Sequence, residues 1–488
     1  MRRTNPAFLK FLLILALAFS LYPCFSIVVG RKASYNGAVL FAHNEDDLGN
    51  DVLRLWKIER RIYNEKFPLL YGDKEQIGEA YSILWIELKN QFVADTYVNE
   101  FGVAVASDAC PSKFGDSGKG ILYFLRRIVA ERAKSAREGV LLAGKLIKKH
   151  GYPSGRTLII VDPEEGWFLH ILGGKHWLAW RVPDDAVATI PNFYTLKKVN
   201  LNDSANFLAS ENVIKLAIEK GFYDPEKDGE FDFARVFSEE YAYNTSRNVY
   251  RQWRAMELLS GKKYPRKTGL PPYFKPAKKI TPGDLFRVLR DHYENTDLYI
   301  RKNKRDFTPH TMKARTICAF HTRYSFVMEL RNNLPMDIGT LMWFSPSRPG
   351  ESPYIPIYFG VRTFGDELIG RKPASHREVL TFHFNLEPSE VMGVTNFFYY
   401  PFKVLTDQLE KDYLKKIPRI RQEWKALEEY YFSVLPYVEK TALRIYRERG
   451  KEEADKFLTN FVTGAMYMAR RKALHLIEAI SGTKVNKN

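Results

Sequence analysis

The stretch Pro23-Cys24-Phe25-Ser26-Ile27-Val28-Val29-Gly30 puts a cysteine at the head of an apolar, β-branched run. Such residues favour extended backbone, so Phe25 to Val29 is expected as a strand. Tyr35-Asn36-Gly37 is a hairpin signal, and Ala38 to Ala42 reads as a second strand. The polar run His43-Asn44-Glu45-Asp46-Asp47 follows it. In an antiparallel hairpin, the start of one strand lies beside the end of the next. Cys24 and the polar run are therefore expected to meet. A cut before Cys24 would put a thiol and an α-amine, a nucleophile and a base, on one residue. The other readings of Cys24 are an ordinary buried cysteine or part of a leader.

Residues before Cys24 have the pattern of a targeting segment. Arg2, Arg3 and Lys10 precede Phe11 to Tyr22, an apolar run too short to span a bilayer. Ala16-Leu17-Ala18 offers a cleavage site that would leave Phe19 to Pro23 as a short propeptide. Leu21 and Pro23 suit a signal-peptidase cut directly before Cys24 poorly. The expectation is an exported protein, periplasmic or extracellular, with residues 1–23 as signal peptide plus propeptide. Lipidation of Cys24 is favoured by Leu21 and opposed by Tyr22 and Pro23. No later run is long enough for a membrane-spanning helix, so no stable membrane insertion is expected after processing.

The formal charge is +17, and the leader carries three of the basic residues, which leaves about +14. Lysine and arginine are mixed with acids, as in Glu410-Lys411-Asp412, which argues for a solvated basic surface and against nucleic acid. Three cysteines, Cys24, Cys110 and Cys318, make no disulfide framework; Cys110 and Cys318 could pair if exported, or serve as small buried apolar residues. There is no HExxH, no histidine spacing typical of zinc, no phosphate-loop spacing around Gly115 to Gly120, and no G-x-S-x-G elbow. No metal or cofactor is expected.

Strands are expected at Ser82 to Leu88, Gly102 to Ala106, Thr157 to Val161, Trp167 to Leu172, His176 to Val182 and Ala186 to Ile190. Further strands are expected at Thr316 to Phe320, Ser325 to Leu330, Leu341 to Ser345 and Ile355 to Phe359. Helical spacing marks Tyr123 to Lys134, Arg137 to Lys149, Ala209 to Lys220, Val249 to Ser260 and Pro282 to Tyr293, the last opened by Thr281-Pro282. From about Val391 the periodicity is helical throughout, at Leu405 to Leu414, Ile420 to Leu435, Val438 to Arg449 and Glu452 to Ile480. Blocks of strands with helices between and after them indicate α+β.

Several ordered motifs resemble the N-terminal-nucleophile dipeptidase A family, which is related to secernins. They are CFSIVVGRKASYNGAVLFAHNEDD (24–47), VNEFGVAVASDACPS (98–112) and FLRRIVAERAKSAREGV (124–140). ATIPNF (188–193), RQWR (251–254), RTICAFH (315–321) and MWFSPSRPGESPYIPIYFGV (342–361) continue the likeness. The resemblance implies a four-layer αββα sandwich of two antiparallel sheets over residues 24–390, with a helical extension at 391–488. It implies a cysteine-type dipeptidase with Cys24 as nucleophile, freed by self-catalysed leader removal. Asp46 falls on the acid that holds the terminal amine. Asn192 falls on the oxyanion donor, and Arg251 on a later active-site arginine, with Arg254 as competitor. Asp108 falls on a polar position near the nucleophile and could bind a substrate α-ammonium. His43 stands where the wider superfamily of penicillin V acylase and bile-salt hydrolase has arginine. Small peptides are the expected partners, and a homo-oligomer is compatible. The alternatives are an amidase of penicillin-type or bile-acid-type N-acyl amides and a non-enzymatic lipoprotein.

Overall fold

The computed structural model describes residues 24–47, 52–63, 67–68, 74–75, 78–115, 119–299, 307–365, 382–384 and 397–481. The leader and the expected boundary near residue 390 lie outside them. Two antiparallel sheets dominate the fold. One has seven strands, in the order Tyr273–Phe274, Val187–Ile190, Phe25–Val29, Val39–Asp46, Thr322–Leu330, Thr340–Ser345 and Ile355–Tyr358. The other has eight, in the order Phe207–Ala209, His176–Arg181, Gly166–Gly173, Arg156–Val161, Ala104–Ala109, Thr96–Asn99, Ile83–Leu88 and Leu53–Ile58.

The inner faces of the sheets pack on each other. Gly166 of one sheet lies against Val28 of the other. The Tyr324 hydroxyl bonds Thr96 Oγ1 at 3.0 Å and donates to the Ala94 carbonyl across the same interface. Helices Phe124–Arg132 and Ala136–His150 cover the eight-stranded sheet, and Ser246–Ser260 and Pro282–Leu289 cover the seven-stranded one. The layer order is thus helix, sheet, sheet, helix, as expected. Burial on both faces explains why Phe25–Val29 is apolar at every position but Ser26 instead of alternating. Thr281 and Asp284 form a capping box with Pro282 in the first turn, which starts the helix where the sequence signals it.

Three differences from the sequence reading have physical causes. The Val39–Asp46 strand does not stop at Ala42 but runs on through His43, Asn44, Glu45 and Asp46. It has a strand on each side, so its backbone is paired, and its polar side chains find buried partners. Thr316 to Phe320, expected as a strand, is a loop: Cys318 N bonds the Asp291 carbonyl, and Ala319 N bonds Thr322 Oγ1. Ile420 to Leu435 and Val438 to Arg449 are one helix, Tyr413–Arg449, which passes through Pro418 and Pro436. An interior proline costs about 3 kcal/mol. Burial of Trp424, Leu427, Tyr431, Leu435, Val438 and Ala442 along one face offsets it. This helix and Lys451–Ser481 pack on each other and on the Ile355–Tyr358 edge strand.

The Leu53–Ile58 strand was also hidden, because its charged residues suggest a surface. Lys57 is buried and donates to the Phe359 carbonyl at 2.6 Å, and burial lowers its ammonium to about 8.

The contact between the sheets at Gly166 is testable. A Cβ there would sit 2.6 Å from Val28 Cγ1 and 3.1 Å from Val161 Cγ1. Gly166→Ala is expected to destabilise the fold by about 1–3 kcal/mol in urea unfolding, and a second change, Val28→Ala, to recover part of that loss.

Candidate active site

The register Phe25↔Asn44 and Ser26↔His43 carries Cys24 to the level of Glu45. Cys24 Sγ donates to Glu45 Oε1 at 3.1 Å and lies 3.9 Å from the Asp46 carbonyl oxygen. Glu45 Oε2 is 2.9 Å from His43 Nε2, and His43 Nδ1 is 2.8 Å from Ser26 Oγ. A buried chain of contacts therefore runs from Cys24 through Glu45 and His43 to Ser26. His43 and Glu45 are two residues apart and share a face. That face meets the second sheet, where Asp108 Oδ1 lies 3.7 Å from His43 Nδ1.

Asn44 and Asp46 point the other way. Asn44 Nδ2 donates to the carbonyls of Leu289 and Ile317 at 3.0 and 2.9 Å. Asp46 accepts from Thr322 Oγ1 at 2.6 Å and Arg315 Nη2 at 2.7 Å. The thiol thus meets the side chain of Glu45 and the main chain of Asp46.

Arg251 ties Cys24 to Asn192. Its Nη1 donates to the Cys24 carbonyl at 2.8 Å, and its Nη2 to Asn192 Oδ1 and Asn248 Oδ1 at 2.8 Å and the Pro191 carbonyl at 3.0 Å. Asn192 has φ of 74°, a left-handed conformation that asparagine tolerates better than most residues, and its Nδ2 donates to the Ala109 carbonyl at 3.0 Å. Arg254, the competitor, forks instead onto Asp291 and donates to the Glu294 carbonyl. The structure therefore gathers Cys24, His43, Asp46, Asp108, Asn192 and Arg251, and leaves Arg254 outside.

Burial dominates the electrostatics. It raises the Cys24 thiol well above its ordinary range, with Glu45, Asp108 and Asp46 adding in the same direction. Glu45 is likewise pushed up, by burial first and Asp47 next. Burial lowers His43, so its imidazole is neutral at neutral pH. Asp108 is pushed up to about 6 by burial, against the pull of His43. Ser26 and His43 also face the Asp108 carboxylate and oppose that rise, without meeting either oxygen in full hydrogen-bond geometry. Burial also brings Arg251 down to about 10. The thiol is in its protonated form in an acidic enclosure.

The model of peptidase family C69 matches residues 121–379. The chain belongs to this family. The matched segment contains Asn192, Arg251 and Arg315; Cys24, His43, Asp46 and Asp108 precede it. A probable dipeptidase of Salmonella dublin is 28% identical over 383 residues, covering 71% of this chain and 84% of the relative. Probable dipeptidase A of Streptococcus pyogenes serotype M1 is 27% identical over 374 residues, covering 71% and 76%. Penicillin V acylase from Agrobacterium tumefaciens aligns with a TM-score of 0.35 and 14% identity, covering 69% of this chain and 86% of that one. At that level the likeness carries no weight beside the observed sheet order.

Reading the sequence missed Glu45, Ser26 and Arg315 as site residues of this family member. Parity carried a signal for Glu45, two residues from His43. Arg315 opens the RTICAFH motif, but only the tertiary structure brings it to Asp46.

Two outcomes follow. Arg251→Ala strands four oxygen acceptors, each costing about 1–3 kcal/mol if left unpaired, and chemical denaturation should show a large loss of stability. Asp108 holds its proton more tightly folded than unfolded, where its pKa is about 3.9. Its contribution therefore lowers stability as pH rises from about 4 to about 6, by at most about 3 kcal/mol, and is constant above that. The stability of Asp108→Asn relative to the parent should rise across that window and then level off.

Proposed function

We propose that the protein is an exported cysteine dipeptidase whose nucleophile is Cys24, freed at a new N-terminus by leader removal. The observation that carries this reading is the setting of Cys24. Its thiol stands at the head of a central strand, among Glu45, Asp46 and Asp108, in a family whose relatives are named probable dipeptidases.

The present environment opposes a thiolate, because burial and three carboxylates keep the proton on sulfur. A free α-amine at Cys24 changes that balance. As an ammonium it is the cation the acids call for, and as an amine it is a base with a pKa of about 7.7–8.0 in reach of the thiol. In the proposed reaction, the amine takes the thiol proton, directly or through water, and sulfur attacks the peptide carbonyl carbon. The carbonyl electrons move onto oxygen, and the Asn192 amide helps hold that oxyanion, an interaction of a few kcal/mol in such sites. Arg251 orients Asn192 and the Cys24 carbonyl together.

Collapse of the intermediate expels the leaving amino acid, which takes its proton from the Cys24 ammonium. Water then attacks the thioester through a second oxyanion, restoring the thiol and releasing the remaining acid. The weakly partnered carboxylate of Asp108 suits the α-ammonium of a dipeptide or of Cys24 itself, and Asp46, held by Arg315 and Thr322, fixes the amine end.

The test is the mass and N-terminal residue of the mature protein, with rates on a panel of dipeptides and N-acyl amides. The expected result is Cys24 at the N-terminus, hydrolysis of dipeptides in preference to N-acyl amides, and loss of turnover in Cys24→Ala. A protein that starts well before Cys24 and turns over dipeptides at full rate overturns the mechanism; a preference for N-acyl amides overturns the substrate class.

A further inference from the structure

A second polar cluster lies beside the active-site loop, and the mechanism does not use it. His292 follows helix Pro282–Leu289, His310 sits in the turn Pro309–Thr311, and Cys318 lies in the loop before the Thr322–Leu330 strand. One ligand atom from each lies within 4.8 Å of the other two. Cys318 is buried and unpaired, and the imidazoles are 0% and 1% exposed.

Both imidazoles are held by a carboxylate at Nδ1. His292 Nδ1 is 3.3 Å from Glu294 Oε1, and His310 Nδ1 is 2.8 Å from Glu410 Oε1. Arg421 Nη2 also lies 3.5 Å from His292 Nδ1. At His310, which burial keeps neutral, the carboxylate at Nδ1 favours the proton there and leaves the Nε2 lone pair free. Both Nε2 atoms are buried; that of His310 has no hydrogen-bond partner among the described residues, and that of His292 faces Cys318, which together with Glu294 pushes this imidazole up to about 10 against burial. Two imidazole nitrogens and a thiol in one place are the donor set of a borderline-soft cation.

The surroundings agree with this. A Cβ on Gly350 would lie 2.7 Å from His292 Cε1 and 3.2 Å from Cys318 Sγ, so glycine leaves the room these donors need. Glu351 Oε1 lies 3.5 Å from His310 Nε2, and Glu351 is held by Arg348 at 2.7 Å and Tyr413 at 3.2 Å. Arg348 and Arg421 face three acids, Glu294, Glu351 and Glu410.

We propose that His292, His310 and Cys318 form a buried site for a zinc-type divalent cation, with Glu351 at its edge. Binding forms the metal–sulfur bond as the Cys318 thiol releases its proton to solvent. The ion braces the loop that serves Cys24. Ile317, next to Cys318, accepts from Asn44, and Arg315 in the same loop holds Asp46.

The experiment uses the full chain purified in Zn2+, freed of loose metal, assayed for metal content, then exchanged with Co2+ for absorption spectroscopy. One ion per chain and a near-ultraviolet thiolate-to-Co2+ charge-transfer band are expected. Cys318→Ser should lose the band, His292→Gln and His310→Gln should lose the ion or weaken the band, and Cys24→Ala should keep both. Circular dichroism identifies any variant that fails to fold, and the other variants then carry the comparison. A parent protein with no retained ion and no band overturns the proposal. So does a band that survives in Cys318→Ser or vanishes in Cys24→Ala, which would put the ion on Cys24, His43 and Glu45. These readouts do not depend on peptide hydrolysis, so failure here and failure of the dipeptidase reading are distinguishable.

Discussion

The antiparallel pairing of Phe25 with Asn44 and Ser26 with His43 is the constraint on which the rest of the site depends. It carries Cys24 to Glu45 and puts the polar end of the second strand in the middle of a sheet. Strand periodicity then divides that end in two. His43 and Glu45 face the second sheet and Asp108, while Asn44 and Asp46 face the loop that holds Ile317 and Arg315. A register slip of one residue would exchange the two sets.

So many ionisable groups in a dry interior are costly unless they are paired. Most here are. Arg251 satisfies four oxygen acceptors around Cys24 and Asn192, and Arg315 covers Asp46. Asp108 is the exception: Ser26 and His43 are weak partners at the site, and burial raises its proton affinity. A carboxylate left in that state beside Glu45 and Asp46 is a place where positive charge, from a terminal amine or a substrate ammonium, lowers the electrostatic cost. The stability cost and the chemical use of the site are thus the same feature.

The C-terminal helices join this core through the same loop region. Glu410 reaches His310 and Arg348, Tyr413 reaches Glu351, and Glu428 pairs with Arg290. These contacts attach the helical extension to the segment that also supports Asp46. Tyr413–Arg449 stays continuous through two prolines because its buried face is worth more than the bonds they remove.

Local pattern alone was enough for the hairpin, for most strands and helices, for the α+β class and for Cys24 beside a polar strand end, because alternation and turn residues are written in neighbouring positions; His43, Asp46, Asp108, Asn192 and Arg251 became candidates through the ordered motifs that resemble a known family. It was not enough for the buried charged strand Leu53–Ile58, whose Lys57 is stabilised by a carbonyl about three hundred residues away. Nor could it separate Arg251 from Arg254, two arginines of one helix whose partners, Cys24 and Asp291, lie on distant segments. The contact of Glu45 with the thiol, of Arg315 with Asp46, and the meeting of His292, His310 and Cys318 were likewise decided by tertiary structure. Each joins residues whose spacing along the chain carries no period, and only the closure of two sheets and their helices brings them within hydrogen-bonding or coordination distance.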